Sequence, residues 1–509
     1  MAAKQVLRAC KLQGLSLHPD ALRRLVDELT NEPTLELDNV IYALKNSIDR
    51  SKMTTSVVSL EALESALDTL LAVNEENHFE SIQIFDAFTT PRLHYLPHSS
   101  SYELKADRHR AIHAPAESRL HLLRDRFVSV ETRVKRNKMF APPAISVSHQ
   151  VEHIELSRIE SLLGVTGIRR VIGMLGQDER RRYFLEDLTS RIFIDLTNAA
   201  YTNGLFTINC VVLVEGEVMD DVLHVHTMGF PPPETKIEST NILGGVDPLG
   251  VEVSAQQLEQ IRDLEASDHH ATFIVLSDVH LDDPQVMEHL DLLFQGLESV
   301  QPSMFILMGD FLSTPVGAGA GSNSLHDLTE YLDELGNLIL KYPKLADFSK
   351  FVLVPGPNDP GSSKAFPRHP DIVVFRDNLH HKMHRHAILP ALAEDVEEDD
   401  DASMEDTDSV APPSTRPHVD ISKHLVKTII DQAHLCPLPL LVAPINWAFD
   451  SALQLFPLPD VLILGDSTEQ YQLGYSSVAV FHPGPFHVDF SFVLYRPSTN
   501  TTEFSRVEV

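Results

Sequence analysis

Cysteine is scarce in this sequence, since its 509 residues include only Cys10, Cys210 and Cys436. These three lie far apart and form no Cys-x-x-Cys pair, which excludes a disulfide framework and a zinc finger built by this chain alone. Such cysteine usage is typical of a reducing compartment. Apolar runs of about 18 residues, long enough to span a membrane, are absent, and so is the pattern of a signal peptide. We therefore expect a soluble intracellular protein without a membrane partner.

Basic residues are too few to balance the acidic ones. The sequence has 41 Lys and Arg against 73 Asp and Glu, which gives a formal net charge of −32. A chain with this charge and a pI near 5.1 has no overall field that attracts DNA, RNA or an anionic membrane. Any contact with nucleic acid therefore has to be local or made through a partner. The 43% hydrophobic residues suffice for roughly two to four packed domains.

The first 73 residues predict a small helical domain. Leu22, Leu25, Val26 and Leu29 recur at the spacing of one helix face, and similar patterns follow. The core of so small a domain is only marginally sufficient alone. Its role, as a simple scaffold or as a docking module, stays open at this point.

Residues 74–150 differ in composition from the first 73, because prolines interrupt short polar segments. We interpret residues 74–150 as a linker. Positions 105–138 contain ten Lys or Arg against four Asp or Glu, which makes a basic island in an acidic chain. This island could contact phosphates, act as a weak nuclear import signal or meet an acidic partner. The alternative is one solvated helix face around Leu120, Leu123 and Phe127.

The apolar pattern changes to a period of two within residues 151–235. Ile192 and Ile194 alternate with more polar neighbours, as in a half-buried strand. Several such strands in a short stretch favour a small barrel of the OB type. Aromatic residues are few, and Arg180–Arg182 is the only compact basic cluster there, so we favour a structural or partner-binding barrel over one that reads nucleic acid. The predicted strands are 168–175, 183–186, 191–196, 210–217 and 222–228.

Three apolar runs in the C-terminal half each end in polar residues. Buried strands that carry polar residues to one edge are typical of an open α/β sheet, and ligands gather at such an edge. We therefore expect an α/β domain over residues 255–509. The three runs end at Asp278 and His280, at Gly309 and Asp310, and at Pro357, Asn358 and Asp359.

The Asp278-x-His280 and Gly309-Asp310 motifs, with the turn after the third run, resemble the calcineurin-like metallophosphoesterases. The resemblance implies an α/β sandwich and about seven metal ligands around two ions. Those ligands are an Asp-x-His, a bridging Asp, an Asn-His pair, an isolated His and a Gly-His-x-His. The matching positions here are Asp278 and His280, Asp310, Pro357 and Asn358, His434 as a candidate, and Gly465, Asp466, Ser467 and Thr468.

The match to those ligands is incomplete. Proline cannot ligate a metal through its side chain, and serine and threonine replace imidazole poorly, so at least three ligands are missing. Without a second metal, in-line hydrolysis of a phosphoester loses the clamp on its attacking and leaving oxygens. We expect a degenerate site at Asp278, His280, Asp310, Asn358 and Asp466, with no catalytic residue, bound metal or cofactor. Two alternatives stay open: one ion held weakly by Asp278, His280, Asp310 and Asp466, and a metal-dependent phosphodiesterase or nuclease that uses Asp278, His280 and Asp310.

The remaining C-terminal segments include an acidic run with ten Asp or Glu in positions 394–408. Such a run repels itself and lacks apolar residues to bury, so we predict a disordered insertion over 394–418. The four histidines at 380, 381, 384 and 386 are interpreted as a polar surface turn rather than a metal site. Further predictions are a helix at 424–435 and strands at 440–443, 459–466, 478–481 and 488–495.

An OB barrel followed by a phosphoesterase domain with an incomplete metal site is similar to the B subunits of the replicative DNA polymerases, most of all their epsilon branch. The resemblance implies a non-catalytic subunit in the nucleus. It would hold the zinc-bearing C-terminal domain of the polymerase epsilon catalytic subunit, reach the replicative helicase through GINS, and contact DNA indirectly or weakly. The segments that carry the resemblance are 229–232, 351–361, 374–379, 424–429, 432–439, 447–450 and 482–486.

Overall fold

The structure is a computed structural model, and the chain divides into two compact units, residues 1–84 and 85–509. In the first unit, Ser16–Leu17 (β1) pairs in parallel with Val57–Val58 (β2). Most of the helical domain predicted for residues 1–73 lies outside the described residues, and so does all of the predicted insertion at 394–418. The described residues are 16–18, 22, 25, 57–58, 88, 90–96, 99, 101–105, 111–141, 153–244, 246–248, 266, 268, 270–316, 324–360, 374–392 and 419–508.

The second unit begins with a hairpin and a long helix. Arg92–Leu96 (β3) pairs antiparallel with Ser101–Lys105 (β4), and the helix Glu117–Arg136 (α1) follows. One face of α1 is buried, and it includes two arginines, Arg126 and Arg133. The segment that we interpreted as a linker therefore contains a packed helix. Its basic residues are not simply a solvated face, because these two arginines are enclosed.

Five strands follow: Arg169–Gln177 (β5), Tyr183–Glu186 (β6), Arg191–Asp195 (β7), Val211–Met219 (β9) and Val222–Gly229 (β10). Each has two neighbours, because their order is β7-β6-β5-β9-β10 and β10 also pairs in parallel with β7, so that Val222 lies opposite Phe193. A two-residue strand, Ala200–Tyr201 (β8), adds to β10. All five predicted strands are confirmed to within two residues at each end.

The C-terminal part contains two sheets. Their strands are Phe273–Leu276 (β11), Met304–Met308 (β12), Lys350–Val354 (β13), Val374–Arg376 (β14), Val461–Gly465 (β15), Tyr471–Tyr475 (β16), Val478–His482 (β17), Ser491–Arg496 (β18) and Thr501–Arg506 (β19). In the first sheet, β13-β12-β11 are parallel and β18-β19 continue the sheet with antiparallel pairing. The second sheet has the order β14-β15-β17-β16.

Helices cover the outer faces of these two sheets. Phe305 of the first sheet packs in one core cluster with Phe294, and Leu462 of the second packs in another with Ile429. Between the sheets, the rings of Phe481 and Tyr495 stack with centroids 5.7 Å apart. This layered arrangement is the mixed α/β architecture that we predicted. The helices are Lys236–Leu243 (α2), Pro284–Leu297 (α3), Ser324–Leu340 (α4), Pro343–Phe348 (α5), Leu379–His386 (α6), Ile421–Gln432 (α7) and Phe486–Asp489 (α8).

Two local predictions in this region are wrong. The histidine-rich segment forms the helix α6 rather than a turn, because Leu379 and Met383, four residues apart, bury one helical face. The predicted strand 440–443 is a turn in which the Val442 and Ala443 N–H groups donate to the Pro439 carbonyl. Leu441 in that turn is 96% exposed, so an apolar run did not mean a buried strand.

The OB-type strands and the two-sheet region interlock. The Gln432 side chain bonds both backbone groups of Val211, accepting from N–H at 2.8 Å and donating to C=O at 2.9 Å. Thr207 donates to the Pro437 carbonyl at 2.6 Å. Leu205 lies in the same core cluster as residues of α7. The two parts of the second unit therefore share a core and fixed polar contacts.

Along the described residues, no helix is long and apolar enough to cross a membrane.

Candidate functional site at the edge of the two sheets

The predicted site residues follow strands that end side by side. Because β11, β12 and β13 are parallel, their carboxyl ends meet at one edge, and β15 of the second sheet ends nearby. The residues Asp278, Asp310 and Asp466 are 3%, 7% and 2% exposed. Three acids this deeply buried need partners that offset their lost hydration.

Arg376, the last residue of β14, supplies one such partner. Its guanidinium forms an ion pair with Asp278, and the two side chains are only 1% and 4% exposed. It also donates from Nε to the Gly309 carbonyl at 2.8 Å and from Nη1 to the Asn378 side chain at 2.8 Å. Asp278 itself has a φ of 54°, a left-handed conformation that aspartate tolerates better than most residues.

The charge of Arg376 is shared among several carboxylates. Burial alone would lower the pKa of Arg376, but Asp278, Asp310 and Asp466 together raise it. The guanidinium therefore remains a permanent cation at the centre of the edge.

Asp310 accepts hydrogen bonds from Asn358, in the turn that follows β13. The Asn358 backbone N–H donates to Oδ1 of Asp310 at 2.8 Å, and its side-chain amide donates to Oδ2 at 2.7 Å. Both oxygens of the predicted bridging carboxylate thus accept hydrogen bonds from one residue. Asn358 acts here as a hydrogen-bond donor.

Backbone N–H groups hold the other two carboxylates. Asp466 accepts from His380 at 2.8 Å and from Ser467 at 2.7 Å, while burial raises the pKa of its carboxyl. Asp359 accepts from Gly356 and Phe311, each at 2.8 Å. Burial raises the pKa of Asp359 to about 6.

His280 lies at the rim of the edge, half-buried. Its ring stacks on the ring of His487 with centroids 4.0 Å apart. Burial, followed by the neighbouring His487, lowers the pKa of His280. The imidazole therefore favours its neutral form.

His434 is engaged in a different cluster. Its Nδ1 accepts from the Cys436 backbone N–H at 3.0 Å, so Nε2 carries the proton and donates to Asp450 at 3.2 Å. Arg126 of α1 donates to the same carboxylate from Nε at 3.0 Å and from Nη2 at 2.5 Å. The candidate for the isolated histidine ligand is thus part of the contact between α1 and the two-sheet region.

Arg376 is the central residue of this edge that was not predicted from the sequence, although the sequence contains a signal for it. Arg376 ends an apolar run just as Asp278 and Asp310 follow theirs, so it was a fourth polar group carried to the same edge.

The metal ions implied by the phosphoesterase resemblance do not fit these residues. Arg376 already pairs with Asp278, and Pro357 offers no ligand atom in its side chain. Across the described ranges, no three His, Cys, Asp or Glu side chains come together in an arrangement that could hold a metal ion. The hydrogen bonds instead suit an edge whose acids are bound by protein donors.

Comparison with known proteins bears on the whole chain. A family model for the OB-fold domain of proteins like DNA polymerase epsilon subunit 2 matches residues 116–232, and a model for the B subunit of DNA polymerases alpha and epsilon matches 273–384 and 371–473. The DNA polymerase epsilon B subunit of Arabidopsis thaliana is 32% identical over 99% of this chain and 98% of that protein. The chain belongs to the family of DNA polymerase epsilon B subunits.

Two mammalian members of the epsilon B-subunit family are similar over the same extent. DNA polymerase epsilon subunit 2 of Bos taurus and that of Homo sapiens are each 31% identical, over 99% of this chain and 98% of each protein. The range matched by the OB-fold model begins at residue 116 and therefore covers α1. Our predicted OB boundary, 151–235, leaves that helix out.

Proposed function

We propose that this chain is a non-catalytic accessory subunit of the DNA polymerase epsilon complex, acting in the nucleus in chromosomal DNA replication and repair. The observation that carries the proposal is the similarity to epsilon B subunits over 99% of the chain. Relatives that match along nearly their whole length support a shared role better than a match to one domain does.

The hydrogen bonding at the sheet edge supports the absence of catalysis. Dinuclear phosphoesterases use two ions to stabilise both the attacking and the leaving oxygen. Here Asp278 pairs with Arg376, and both Asp310 oxygens accept from Asn358. An edge organised in this way serves to hold strand ends together.

The interlocked OB-type strands and two-sheet region support a scaffolding role. We propose that they form one platform for the zinc-bearing C-terminal domain of the catalytic subunit. Residues 1–73 would link the assembly to the replicative helicase through GINS. The net charge of −32 favours protein partners over direct DNA contact, which would be indirect or weak.

Co-expression of the full chain with the catalytic subunit's C-terminal domain tests the scaffold. We expect a stable one-to-one complex in size-exclusion chromatography. Variants Asp278→Ala and His280→Ala that remain folded should form it equally well, because the edge has no catalytic task. Failure of the folded wild-type chain to bind would contradict the scaffolding role.

The alternative is a metal-dependent phosphodiesterase or nuclease that uses Asp278, His280 and Asp310. The grouping of these residues at one edge, with His280 only half-buried, favours it. Chelator-treated protein would be assayed with manganese on a generic phosphodiester and single-stranded DNA, beside Asp310→Asn. We expect no cleavage that the variant abolishes; variant-sensitive cleavage with two tightly bound ions would establish the enzyme instead.

A further inference from the structure

The edge of the two sheets contains a fixed cation where the phosphoesterase resemblance implies metal ions. We propose that Arg376 is the resident cation of this edge. Its guanidinium takes the place of a divalent ion among Asp278, Asp310 and Asp466: it pairs directly with Asp278, while Asn358 and backbone N–H groups bind the other two carboxylates. The contacts, the path of the side chain and the charge balance each support this assignment.

The contacts place the guanidinium between two strand ends of the first sheet. It pairs with Asp278, which follows β11, and donates at 2.8 Å to the carbonyl of Gly309, which follows β12. Arg376 itself belongs to β14 of the second sheet. One side chain therefore ties the two sheets together at the edge, as a bridging metal ion would.

The path of this side chain depends on a glycine. Arg376 lies opposite Gly465 in the pairing of β14 with β15. A Cβ added at Gly465 would lie 2.4 Å from Cδ of Arg376 and 3.0 Å from Sδ of Met308. Because Gly465 has no side chain, Arg376 has room to extend past it to the first sheet.

The charge balance explains why a cation is needed there. Asp278, Asp310 and Asp466 are each at most 7% exposed, and a buried carboxylate without a partner is strongly destabilising. A guanidinium stays protonated and offers several donors in one plane, so it can serve more than one acceptor at once. Its positive charge also repels a divalent ion from the same position.

This inference deepens the proposed absence of hydrolysis and rests on it, since it names the side chain responsible. The experiment below measures unfolding and cation binding, whereas assembly and cleavage test the proposed function. A failure of the inference is therefore distinguishable from a failure of the proposed function.

The test compares the full-length wild type with Arg376→Ala and Arg376→Lys after chelator treatment. We expect Arg376→Ala to melt about 5 °C or more below the wild type, because three buried acids lose their cation. Arg376→Lys should lie between them, since lysine keeps the charge but not the planar donors. Millimolar guanidinium should raise the melting temperature of Arg376→Ala but not of the wild type, and potassium at equal ionic strength should not.

The matched control is Arg385→Ala, because Arg385 is an exposed arginine of α6. It should melt with the wild type. Arg376→Ala that melts with the wild type would overturn the proposal, and so would a lack of selective guanidinium rescue. Manganese that binds the wild type stoichiometrically in calorimetry and raises its melting temperature would also overturn it.

A second variant keeps the test decisive if Arg376→Ala does not fold. The double variant Asp278→Asn with Arg376→Gln removes both charges of the buried pair. It should fold and melt above Arg376→Ala, because no carboxylate at Asp278 is left uncompensated. A double variant as unstable as the single one would contradict the assigned role.

Discussion

At the residue scale, the edge of the two sheets depends both on the Arg376 side chain and on glycines that have no side chain. Arg376 crosses between the sheets over Gly465, while Gly309 and Gly356 lie directly against carboxylates. A Cβ at Gly356 would meet the backbone N of Asp310 at 2.6 Å. Glycine is required at such positions because the chains approach each other too closely for any side chain.

Gly465→Ala should destabilise the protein by about 1–3 kcal/mol, because the added methyl overlaps the buried stem of Arg376, whose guanidinium is fixed by hydrogen bonds. The matched control is Gly474→Ala in β16 of the same sheet, where an added Cβ meets nothing within 4 Å. The control should change stability by no more than about 0.5 kcal/mol. Urea unfolding of both variants measures the difference, and equal midpoints would contradict this account of Gly465.

At the element scale, α1 joins the OB-type strands to the two-sheet region. Arg126 forms an ion pair with Asp450 that is almost fully buried. Burial would raise the pKa of Asp450, but Arg126 and His434 hold it well below its usual range. This helix therefore contributes a charge that the two-sheet region needs, in addition to its apolar face.

Arg126→Ala should lower the free energy of unfolding by about 3–5 kcal/mol, because it leaves the Asp450 carboxylate buried without its main partner. Arg124→Ala, on an exposed position of the same helix, should stay within about 0.5 kcal/mol of the wild type. Equilibrium urea unfolding compares the two. Replacing Arg126 and Asp450 together by Met and Leu should cost less than Arg126→Ala alone, and a larger loss would count against the pair.

At the scale of the whole molecule, the OB-type strands and the two-sheet region form one body. Leu122 of α1 and Leu205 of the OB-type region lie in the same core cluster as Leu425 and Ile429 of α7. Changes deep in the two-sheet region should therefore affect the stability of the entire second unit.

The pH dependence of that stability has a defined contribution from His482. This residue is fully buried, and burial lowers its pKa to about 4, against roughly 6.5 for an exposed histidine. Between these values the unfolded chain takes up a proton that the folded chain does not. Protonation of His482 in the unfolded chain therefore lowers the free energy of unfolding, by up to about 3 kcal/mol, as the pH falls from about 6.5 to 4. Above about pH 6.5 this loss is absent.

His482→Gln removes this titration, so its stability should fall less steeply than that of the wild type between about pH 6.5 and 4. The free energy of unfolding, measured with urea at several pH values, gives both slopes. The exposed His381 provides the control, since His381→Gln should keep the wild-type slope. A His482→Gln slope equal to the wild-type slope would show that the proton is taken up elsewhere.

The positions of most strands could be predicted from the sequence. The five strands of the OB-type region and the runs that lead to Asp278 and Asp310 could be predicted, because alternation and apolar continuity are local properties of the chain. Local patterns gave a wrong prediction where apolar residues are exposed or where a few apolar residues are spaced among polar ones. Leu441 lies in an exposed turn, although the apolar run that contains it predicts a strand. Helix α6 is stabilised by the burial of only two residues, Leu379 and Met383, in a segment that is otherwise mostly histidine and basic residues.

The contacts of the edge residues depend on the tertiary structure. Arg376 and Asp278 are 98 positions apart, and Arg126 and Asp450 are 324 apart, so no local pattern relates them. Only the pairing of β14 with β15 and the packing of α1 bring these charges together in an environment where an unpaired ion is unfavourable. Strand positions follow from neighbours in sequence, whereas the compensation of buried charge follows from neighbours in space.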